Sequence, residues 1–438
     1  MNGNGQYQGG ESFDAREVIL AGRNLSFAQR VNYFSNLLTH QFANHESLYM
    51  RLIASPADRE VEVIDAATGS LRKMLMFGSN NYLGLANHPK VPERVQNAIS
   101  QYGVGIGGPP LLNGHTSLHR ELQERLSALK HAEDTVIFPT GYSANVGLMT
   151  SLVNRNDTVV FDEYSHASLR DGLRMARARH IAFAHNDLDE MEGLLEAPRA
   201  TGDIFVCVEG VYSMDGDLAP LDEIVPLCKR QGAVLIVDDA HGTGVMGASG
   251  SGTAEHFGVD GLVNITMGTF SKAFGVVGGF VSASKDIANY LRVFARSHMF
   301  SASLPPVVIA AVLGGLDVLE REPWLRQRLR DNVSYAAQGF RQLGFDIDPQ
   351  AAIIPLRVPP AMNIRQAAQR FHESGIFVNS VEYPAVPLNE QRFRVSIMAT
   401  HTEEDIDRLL ECTAEVWSHL GRGEACASLA GAAGMSVR

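Results

Sequence analysis

A lysine surrounded by small and hydroxylated residues is the side chain of this sequence best suited to nucleophilic chemistry. Lys272 lies in the stretch Met267–Gly275, between the apolar runs Leu262–Met267 and Val276–Val281. Burial between such runs disfavours the charged ammonium, so its pKa falls and the neutral amine can attack a carbonyl to form a Schiff base. A solvent-exposed loop lysine would have the same local sequence, so this stretch alone leaves both interpretations open.

Two acids and a histidine follow a predicted buried strand, in the segment Val237–Gly244. Asp238, Asp239 and His241 come directly after the apolar run Ala233–Val237, and ligands of open α/β sheets bind at the carboxyl ends of strands. One carboxylate could keep a heterocyclic nitrogen protonated, and His241 could donate a hydrogen bond to a ring oxygen. An acidic turn without a ligand is the alternative.

Three further strand ends carry groups of the same kind. The turn Phe138–Asn145 enters a helix, and free backbone N–H groups and the helix dipole suit a phosphate there. The turn Asp162–Ser168 offers His166 for stacking, although a lone histidine is more often a satisfied surface or core residue. The segment Glu209–Asp217 adds an acid and a hydroxyl. These strand ends are predicted to converge on one site.

Two other motifs lack the context that their chemistry requires. Gly103–Gly108 is glycine-rich, but no predicted strand precedes it and no βαβ unit encloses it, as a dinucleotide-binding loop needs. His115 and His119 are four residues apart, but no convincing third metal ligand accompanies them. We therefore predict neither a dinucleotide site nor a metal site.

Alternating strand and helix patterns predict the scaffold that positions these groups. Helix-length segments separate most of the apolar, β-branched runs, which indicates βαβ units and a mainly parallel sheet with helices on both faces. Apolar stripes at helical spacing predict helices at Leu118–Leu129 and Glu403–Leu420. The predicted strands are Thr135–Phe138, Thr158–Phe161, Ile204–Val208, Val234–Val237, Val263–Met267 and Val277–Val281.

Changes of composition indicate a large domain flanked by smaller parts. Residues 1–72 are predicted to form a leader and an N-terminal helical arm, with the arm over Phe27 to Ile53, and residues 73–305 the large domain. A smaller α+β domain is expected over residues 306–420, with strands at Ile353–Val358 and Phe393–Ile397. The Gly-, Ala- and Ser-rich stretch 421–438 is expected to be disordered.

Composition excludes several classes of protein. The 438-residue chain is 45% hydrophobic, enough for a sizeable core, and its net charge of −12 argues against a nucleic-acid partner. Its four cysteines form no CxxC pair, which indicates a reducing compartment. We find neither a signal-peptide pattern nor an apolar run long enough for a transmembrane segment, so a cytoplasmic protein is expected.

Five segments of the sequence form an ordered set: Ser79–Gly84, Ser165–Ser168, Glu209–Gly216, Asp238–Gly244 and Thr269–Lys272. In type and order they resemble the motifs of the α-oxoamine synthases, fold-type-I enzymes that use pyridoxal 5′-phosphate (PLP). The likeness extends from about Phe77 to Leu420, with features of both the serine palmitoyltransferase and the oxononanoate synthase branches. It implies a mainly parallel seven-stranded α/β sheet, PLP as the cofactor, and a homodimer with shared active sites.

By this resemblance, Lys272 is the lysine that forms the Schiff base with PLP. Asp238 would pair with the pyridinium nitrogen, His241 with the ring hydroxyl, and His166 would stack on the ring face. The resemblance assigns Gly141, Tyr142 and Thr269 to the phosphate, Glu209 and Ser213 to the cofactor-binding strand edge, Ser301 to the neighbouring subunit's phosphate, and Asn80 and Arg394 to the substrate. In that assignment Arg394 holds the amino-acid carboxylate.

The reaction implied is a decarboxylative condensation of an amino acid with an acyl thioester, which yields an α-aminoketone, CO2 and a free thiol. Serine is favoured, with glycine or alanine as alternatives, and Lys272 would also remove the α-proton. An aminotransferase or side-chain lyase of the same fold is the second hypothesis. A non-catalytic dimer partner is the third, and the presence of the lysine, both histidines and Asp238 disfavours it.

One loop departs from the family pattern. Relatives read Gly-Ser-Arg or Gly-Thr-Arg where this chain has Gly108-Pro109-Pro110, followed by Leu111 and Leu112. The arginine is missing and the prolines stiffen the loop. This indicates an acyl donor other than the usual coenzyme A (CoA) thioester, such as a chain carried on an acyl carrier protein. Prolines that merely rigidify the loop are the alternative.

Overall fold

The structure, a computed structural model, describes residues 22–43, 48–65, 68–197, 202–383 and 385–420. Its strands are β1 (Leu52–Ile53), β2 (Glu60–Ile64), β3 (Leu71–Met76), β4 (Asp134–Phe138), β5 (Thr158–Asp162), β6 (Arg179–Phe183), β7 (Ile204–Glu209), β8 (Val234–Asp238), β9 (Ile265–Thr269), β10 (Gly279–Ala283), β11 (Ile353–Arg357), β12 (Ile376–Phe377), β13 (Asn379–Val381) and β14 (Arg392–Ser396). Its α-helices are α1 (Phe27–Ala43), α2 (Lys90–Tyr102), α3 (Ser117–Leu129), α4 (Gly141–Leu152), α5 (Ala167–Ala176), α6 (Leu188–Glu196), α7 (Leu221–Gln231), α8 (Thr253–His256), α9 (Lys285–Phe294), α10 (Arg296–Met299), α11 (Pro306–Arg321), α12 (Trp324–Gln342), α13 (Ile364–Glu373) and α14 (Glu403–Leu420).

A seven-stranded sheet in the order β4-β10-β9-β8-β7-β5-β6 forms the centre of the fold. Strand β10 runs antiparallel to β4 and β9, and the remaining neighbours pair in parallel. Every residue of β5, β7 and β10 is buried, as expected for strands with helices on both faces. The mainly parallel, seven-stranded α/β architecture predicted from the sequence is confirmed.

Apolar side chains on the two faces of this sheet form separate cores. On one face, Leu148 of α4 and Leu173 of α5 pack with Phe138 and Val159 of the strands. On the other face, α6 and α7 cover the sheet, with Met191 among the side chains of that core. The carboxyl ends of the strands project beyond both cores, so the polar residues that follow them are held on a rigid support.

Two predicted strands lie two residues later in the chain than the sequence indicated, because a closed loop separates β9 from β10. Phe270 N–H donates to the Gly278 carbonyl at 3.0 Å, and Val276 N–H donates to the Phe270 carbonyl at 2.9 Å. Val276 and Val277 therefore belong to the loop despite their strand propensity. Gly278 has a φ of +137°, and a Cβ there would lie 2.5 Å from the Phe270 ring, so only glycine fits this turn.

Two smaller sheets lie outside the central one. Strands β11, β14 and β13 form an antiparallel sheet, which includes both strands predicted for the C-terminal region. Strands β1, β2, β3 and β12 form the other, and β12 pairs in parallel with β3, Ile376 opposite Leu75. Residues near the two ends of the chain thus share one sheet, and the boundaries at residues 72, 305 and 420 remain a prediction.

The N-terminal arm is a helix over Phe27–Ala43, shorter than predicted. Leu52 and Ile53 pair instead with β2 as a strand. The apolar positions at helical spacing all lie between Phe27 and Leu38, within α1. The predicted leader before residue 22 and the predicted disordered stretch 421–438 lie outside the described residues. Within the described ranges, every helix is too short or too polar to cross a lipid bilayer.

Candidate active site

A cavity of about 300 Å³ lies at the carboxyl edge of the central sheet. It brings together nine of the twelve residues predicted for the site: Gly141, Tyr142, His166, Glu209, Ser213, Asp238, His241, Thr269 and Lys272. Asn80 and Arg394 are not among the lining residues. Both contact the hydroxyl of Tyr82, which in turn contacts His241 of the lining. Ser301 lies outside the lining of the cavity within this chain.

A larger cavity of about 390 Å³ lies elsewhere, between α2 and α11. Its charged side chains neutralise one another, since Arg94 is ion-paired with both Asp317 and Glu121. None of the predicted site residues lines it. The smaller cavity is therefore the candidate active site.

Lys272 projects from the loop that closes between β9 and β10. Burial lowers the pKa of its ammonium below the ordinary value, while the nearby Asp238 and Glu209 act in the opposite direction. The net shift favours a neutral amine, which is the nucleophilic form. The structure thus places this lysine in a cavity wall rather than on an open loop.

The two adjacent aspartates after β8 have different environments. Asp239 is 2% exposed and forms an ion pair of 2.7 Å with Lys130. It also accepts hydrogen bonds from the backbone and hydroxyl of Thr253 at 3.2 and 2.8 Å, which fixes the loop after the strand. Asp238 lines the cavity. The geometry therefore leaves Asp238 open to the cavity and uses Asp239 for structure. The residues alone left this choice open, and the family resemblance favoured Asp238.

His166 and His241 approach the cavity from different strand ends. His166 Nδ1 accepts a hydrogen bond from the Ser168 backbone N–H at 3.2 Å, so the proton of the neutral ring is on Nε2. His241 is 6% exposed. Burial, followed by the charges of Lys272 and Arg394, lowers its pKa well below the ordinary value. His241 is therefore a neutral imidazole at neutral pH.

One end of the cavity is suited to a phosphate. Thr140 caps the N-terminus of α4 by accepting from the Ser143 N–H at 2.9 Å, which leaves the first turn directed at the cavity. A Cβ on Gly141 would lie 3.0 Å from the Thr269 hydroxyl, so a side chain there would fill this space. Thr269 Oγ1 donates to the Gly278 carbonyl at 2.8 Å and contacts the Ser271 hydroxyl at 2.9 Å. Ser271, which sequence reasoning missed, also lines this cavity, and its hydroxyl donates to Thr269 Oγ1.

Glu209 is a buried acid beside Asp238. It is 3% exposed, and among the described residues its Oε1 has no hydrogen-bond partner. Burial, and then the charge of Asp238 on the neighbouring strand, raises its pKa well above the ordinary value. A protonated carboxyl can donate as well as accept. The orphaned oxygen indicates that the cavity accommodates a further polar group.

Arg394 lies 6% exposed on β14, on the side of His241 away from the phosphate end. Its guanidinium donates to the Ser213 carbonyl at 2.6 Å, to Asn80 Oδ1 at 2.8 Å, and to the Tyr82 hydroxyl at 3.1 Å. Tyr82 in turn contacts His241 Nδ1 at 2.7 Å. Sequence reasoning missed Tyr82, although it lies two residues after Asn80 in the same motif.

The two arginines of β14 differ in their charge partners. Arg392 is 1% exposed and ion-paired with both Asp215 and Glu390. Arg394, two residues later on the same face, has hydroxyl, amide and carbonyl partners but no carboxylate among the described residues. A buried cation without an anion is costly. The guanidinium of Arg394 is therefore the group of the site that a carboxylate would neutralise.

Both sequence and structure comparisons identify relatives of this chain. Residues 72–412 match the family model of aminotransferase class I and II. Serine palmitoyltransferase of Bacteriovorax stolpii is 40% identical over 82% of this chain and 86% of its own length. The 8-amino-7-oxononanoate synthase of Geobacter sulfurreducens is also 40% identical, over 80% of this chain and 90% of its own. A solved serine palmitoyltransferase variant from S. paucimobilis, with a bound PLP–myriocin aldimine, has a TM-score of 0.81 at 30% identity and covers 89% of this chain and 99% of its own.

The fold and the cavity define a PLP-dependent enzyme of fold type I, with PLP as its cofactor. Within that class the chain belongs to the α-oxoamine synthase family, as the resemblance of its motifs predicted. The cavity fits PLP in its chemistry, since it offers the N-terminal turn of α4, a lysine whose pKa is lowered by burial, and the carboxylate of Asp238. The two named relatives are equally similar to this chain, at 40% identity each, so identity favours neither set of substrates.

A second polar cluster lies at the same sheet edge. His185 Nδ1 lies 3.1 Å from Asp162, and its Nε2 lies 2.6 Å from Asp217. Both ring nitrogens therefore face carboxylates and both must carry protons. Burial alone would lower the pKa of His185, but the hydrogen bonds and charges of the two aspartates raise it to about 10. The pair connects the turn that bears His166 to the loop that bears Ser213.

We expect His185→Gln to destabilise the protein in a pH-dependent manner. Because the folded pKa lies near 10 and the unfolded pKa near 6.5, the stabilisation is complete below about pH 6.5 and is lost as the pH rises through 10. The free energy of unfolding should fall by about 3 kcal/mol at pH 6 and by much less at pH 10. Denaturant titrations at the two pH values would measure this. His180→Gln on the adjacent strand is the control, and an equal loss at both pH values would contradict the assignment.

Proposed function

We propose that the protein catalyses a PLP-dependent decarboxylative condensation of an amino acid with an acyl thioester, giving an α-aminoketone, CO2 and a free thiol. Serine is the favoured amino acid, with glycine or alanine as alternatives, as in a serine palmitoyltransferase. An oxononanoate synthase-like or glycine C-acetyltransferase-like activity is the alternative, since relatives of both named branches share 40% of their residues with this chain. An aminotransferase of the same fold is the remaining possibility.

The observation that carries this proposal is the buried Arg394 without an anionic partner in the described structure. Four of its five N–H protons are donated to Ser213, Asn80, Tyr82 and Ser396. Within the described structure the remaining proton, on Nη2, can be donated to an oxygen of a carboxylate. Asn80 and Tyr82 hold it from two sides, so it is oriented before a substrate arrives. An amino acid bound by its carboxylate here would place its amino group and α-carbon toward the Lys272 cavity.

Bound PLP supplies an electron sink that acidifies the α-proton of an attached amino acid. Lys272 would hold the cofactor through its amine, and its Nζ would accept the α-proton of the substrate. Asp238 would hold a protonated ring nitrogen. His241, whose Nδ1 lies 2.7 Å from the Tyr82 hydroxyl, would face the ring hydroxyl. His166 would pack on one face of the ring, and Glu209 and Ser213 would complete its surroundings.

The phosphate is assigned to Gly141, Tyr142 and Thr269, with Ser301 reaching the phosphate of a neighbouring subunit. This assignment implies a homodimer whose active sites lie at the subunit interface. Exposed side chains support it. Tyr142 and Val277 of the cavity lining are 50% and 51% exposed, and Phe300, next to Ser301 in the chain, is 67% exposed, so a second subunit would cover them. The cysteines, all isolated in sequence, fit a cytoplasmic enzyme.

The acyl donor is proposed to be carried by an acyl carrier protein or by CoA, with the loop Gly108–Leu112 deciding between them. This loop lies near Ser301, the residue assigned to the phosphate of a neighbouring subunit, since the Ser303 N–H donates to the Gly108 carbonyl at 3.0 Å. Leu112 is 81% exposed. A stiff loop with an exposed apolar tip is better suited to a protein carrier than to a nucleotide.

A two-stage assay tests the proposed reaction. Holoenzyme is first titrated with a panel of amino acids, and changes in its visible absorption identify those that bind at the cofactor. Each responder is then mixed with palmitoyl-CoA or with a palmitoylated acyl carrier protein, and CO2 and free thiol are measured. Equimolar release of both from serine supports the proposal. A keto acid without thiol release would identify an aminotransferase, and a clear preference for the CoA ester would refute the carrier protein as donor.

A further inference from the structure

A buried asparagine inside α4 connects two groups of the active site. Asn145 is 1% exposed, and its side-chain Nδ2 donates to Asp238 Oδ2 at 2.8 Å and to the Ser168 hydroxyl at 2.9 Å. Ser168 Oγ in turn lies 2.7 Å from His166 Nδ1. An unbroken line of hydrogen bonds thus runs from Asp238 to His166 through a side chain that is not among those lining the 300 Å³ active-site cavity.

The direction of each hydrogen bond in this line is determined. Asp238 as a carboxylate can only accept, so the Asn145 amide must present its NH2 group. The NH2 group donates one proton to Asp238 and the other to the Ser168 hydroxyl. The Ser168 hydroxyl then donates to His166 Nδ1, which also accepts from the Ser168 backbone. Ser168 therefore fixes the tautomer of His166, and Asn145 fixes Ser168.

The same hydrogen bonds fix the orientation of the Asp238 carboxylate. Its Oδ1 accepts from the Ala240 backbone N–H at 3.1 Å, while Oδ2 accepts from Asn145. Each carboxylate oxygen thus has a protein donor on one side, and the carboxylate plane cannot rotate without breaking one of them. The orientation available to an in-plane ligand nitrogen is fixed as a result.

Asn145 is an unfavourable residue for its position unless it has such a role. Asparagine is a poorer helix former than alanine, and among the described residues the buried Oδ1 of Asn145 has no hydrogen-bond partner. A buried, unsatisfied carbonyl costs stability. Leucine or alanine at this position would pack in the core without that cost, so the two donated hydrogen bonds must account for the asparagine.

We propose that Asn145 is a positioning residue that couples Asp238 to His166, and so fixes the angle between the in-plane partner of the PLP ring and the residue that stacks on it. This inference rests on the proposed roles of Asp238 and His166. Because Asn145 lies one turn after Gly141, the same helix carries the phosphate-binding turn. Helix α4 therefore aligns three of the contacts that a bound PLP would make.

Two alanine variants and their combination test this coupling through PLP binding, without any substrate. Asn145→Ala removes a hydrogen bond to a charged group, so the Kd for PLP should rise roughly ten- to a hundredfold. Ser168→Ala, which leaves Asp238 bound to Asn145, should weaken PLP binding less. The fold-loss of PLP affinity in the double variant should be smaller than the product of the two single fold-losses, because both changes act through one line of hydrogen bonds. The visible circular dichroism of bound PLP, which reports the ring orientation, should change in all three.

Thr150→Ala, on the same helix but bonded only to helix carbonyls, is the matched control and should leave PLP binding unchanged. Wild-type affinity and circular dichroism in Asn145→Ala would overturn the proposal, as would losses that multiply independently. If Asn145→Ala fails to fold, Ser168→Ala decides alone, and an unchanged dichroism signal contradicts the coupling. Lys272→Ala tests the site itself: if the visible absorption of a lysine-bound cofactor survives that change, the proposed site is wrong rather than the coupling.

Discussion

Replacement of Lys272 by alanine is expected to abolish the visible absorption of the lysine-bound cofactor and to reduce turnover at least roughly a thousandfold. The physical reason is that one amine carries two duties, the covalent anchor and the proton transfer at the α-carbon. The structure places its Nζ in a cavity wall whose burial favours the neutral form. Spectra of the purified holoenzyme, followed by the thiol-release assay, would measure both effects.

Lys285→Ala is the matched control for this change. Lys285 begins α9, directly after β10, and its side chain is exposed, so its loss should alter neither spectrum nor turnover. PLP should still bind to the Lys272→Ala protein, though without a covalent bond, because the phosphate and ring contacts remain. Turnover close to that of the wild type in Lys272→Ala would refute the central assignment.

Replacement of Arg394 by methionine is expected to raise the KM for the amino acid by roughly a hundredfold or more. The variant keeps the apolar stem but removes the only group proposed to bind the carboxylate. Binding of PLP should change much less, since Arg394 is not among the residues that line the cavity and Lys272 and the phosphate end are left intact. Spectral titration with serine, and with serinamide, would measure this. The amide lacks the carboxylate, so wild type and variant should bind it with similar affinity.

The neighbouring arginines of the small sheet provide two controls for Arg394. Arg357→Met, at a 69% exposed position on β11, should change neither KM nor stability. Arg392→Met leaves Asp215 and Glu390 without their buried partner and should lower the free energy of unfolding by about 3–5 kcal/mol. A variant of Arg394 that keeps its affinity for serine would show that the carboxylate binds elsewhere.

The central sheet was predictable because its strands are short, buried on both faces and therefore apolar throughout. The edge strand Arg179–Phe183 was missed for the complementary reason. Its burial pattern is mostly exposed, so its composition carries no apolar run. Strand β2 was missed although Glu60–Ile64 alternates acidic and apolar residues, the pattern of a half-buried strand. Strand β1 has only two residues, and β3 does not alternate in polarity, so neither carries a comparable signal.

The candidate site shows a similar division. Lys272, Asp238 and the histidines were identified because their motifs follow predicted strands, and parallel strands bring their carboxyl ends to one edge. Local sequence could not decide between Asp238 and Asp239, because the decision depends on Lys130, more than a hundred residues earlier. Only the family resemblance favoured Asp238. Tyr82 and Asn145 were missed because each acts on a side chain from another element, and only the fold brings them together.

The pairing of β3 with β12 has a consequence for how the active site is assembled as the chain folds. The cavity that faces Lys272 is built from residues 140–278, which can associate once the middle of the chain has been synthesised. The segment bearing Asn80 and Tyr82 instead depends on late residues, since the Ser396 and Ala399 N–H groups donate to the carbonyls of Phe77 and Tyr82. Contacts between such distant residues close a large loop and form slowly. The cofactor pocket is thus expected to mature before the substrate-recognition side, which is completed only when both ends of the chain have met.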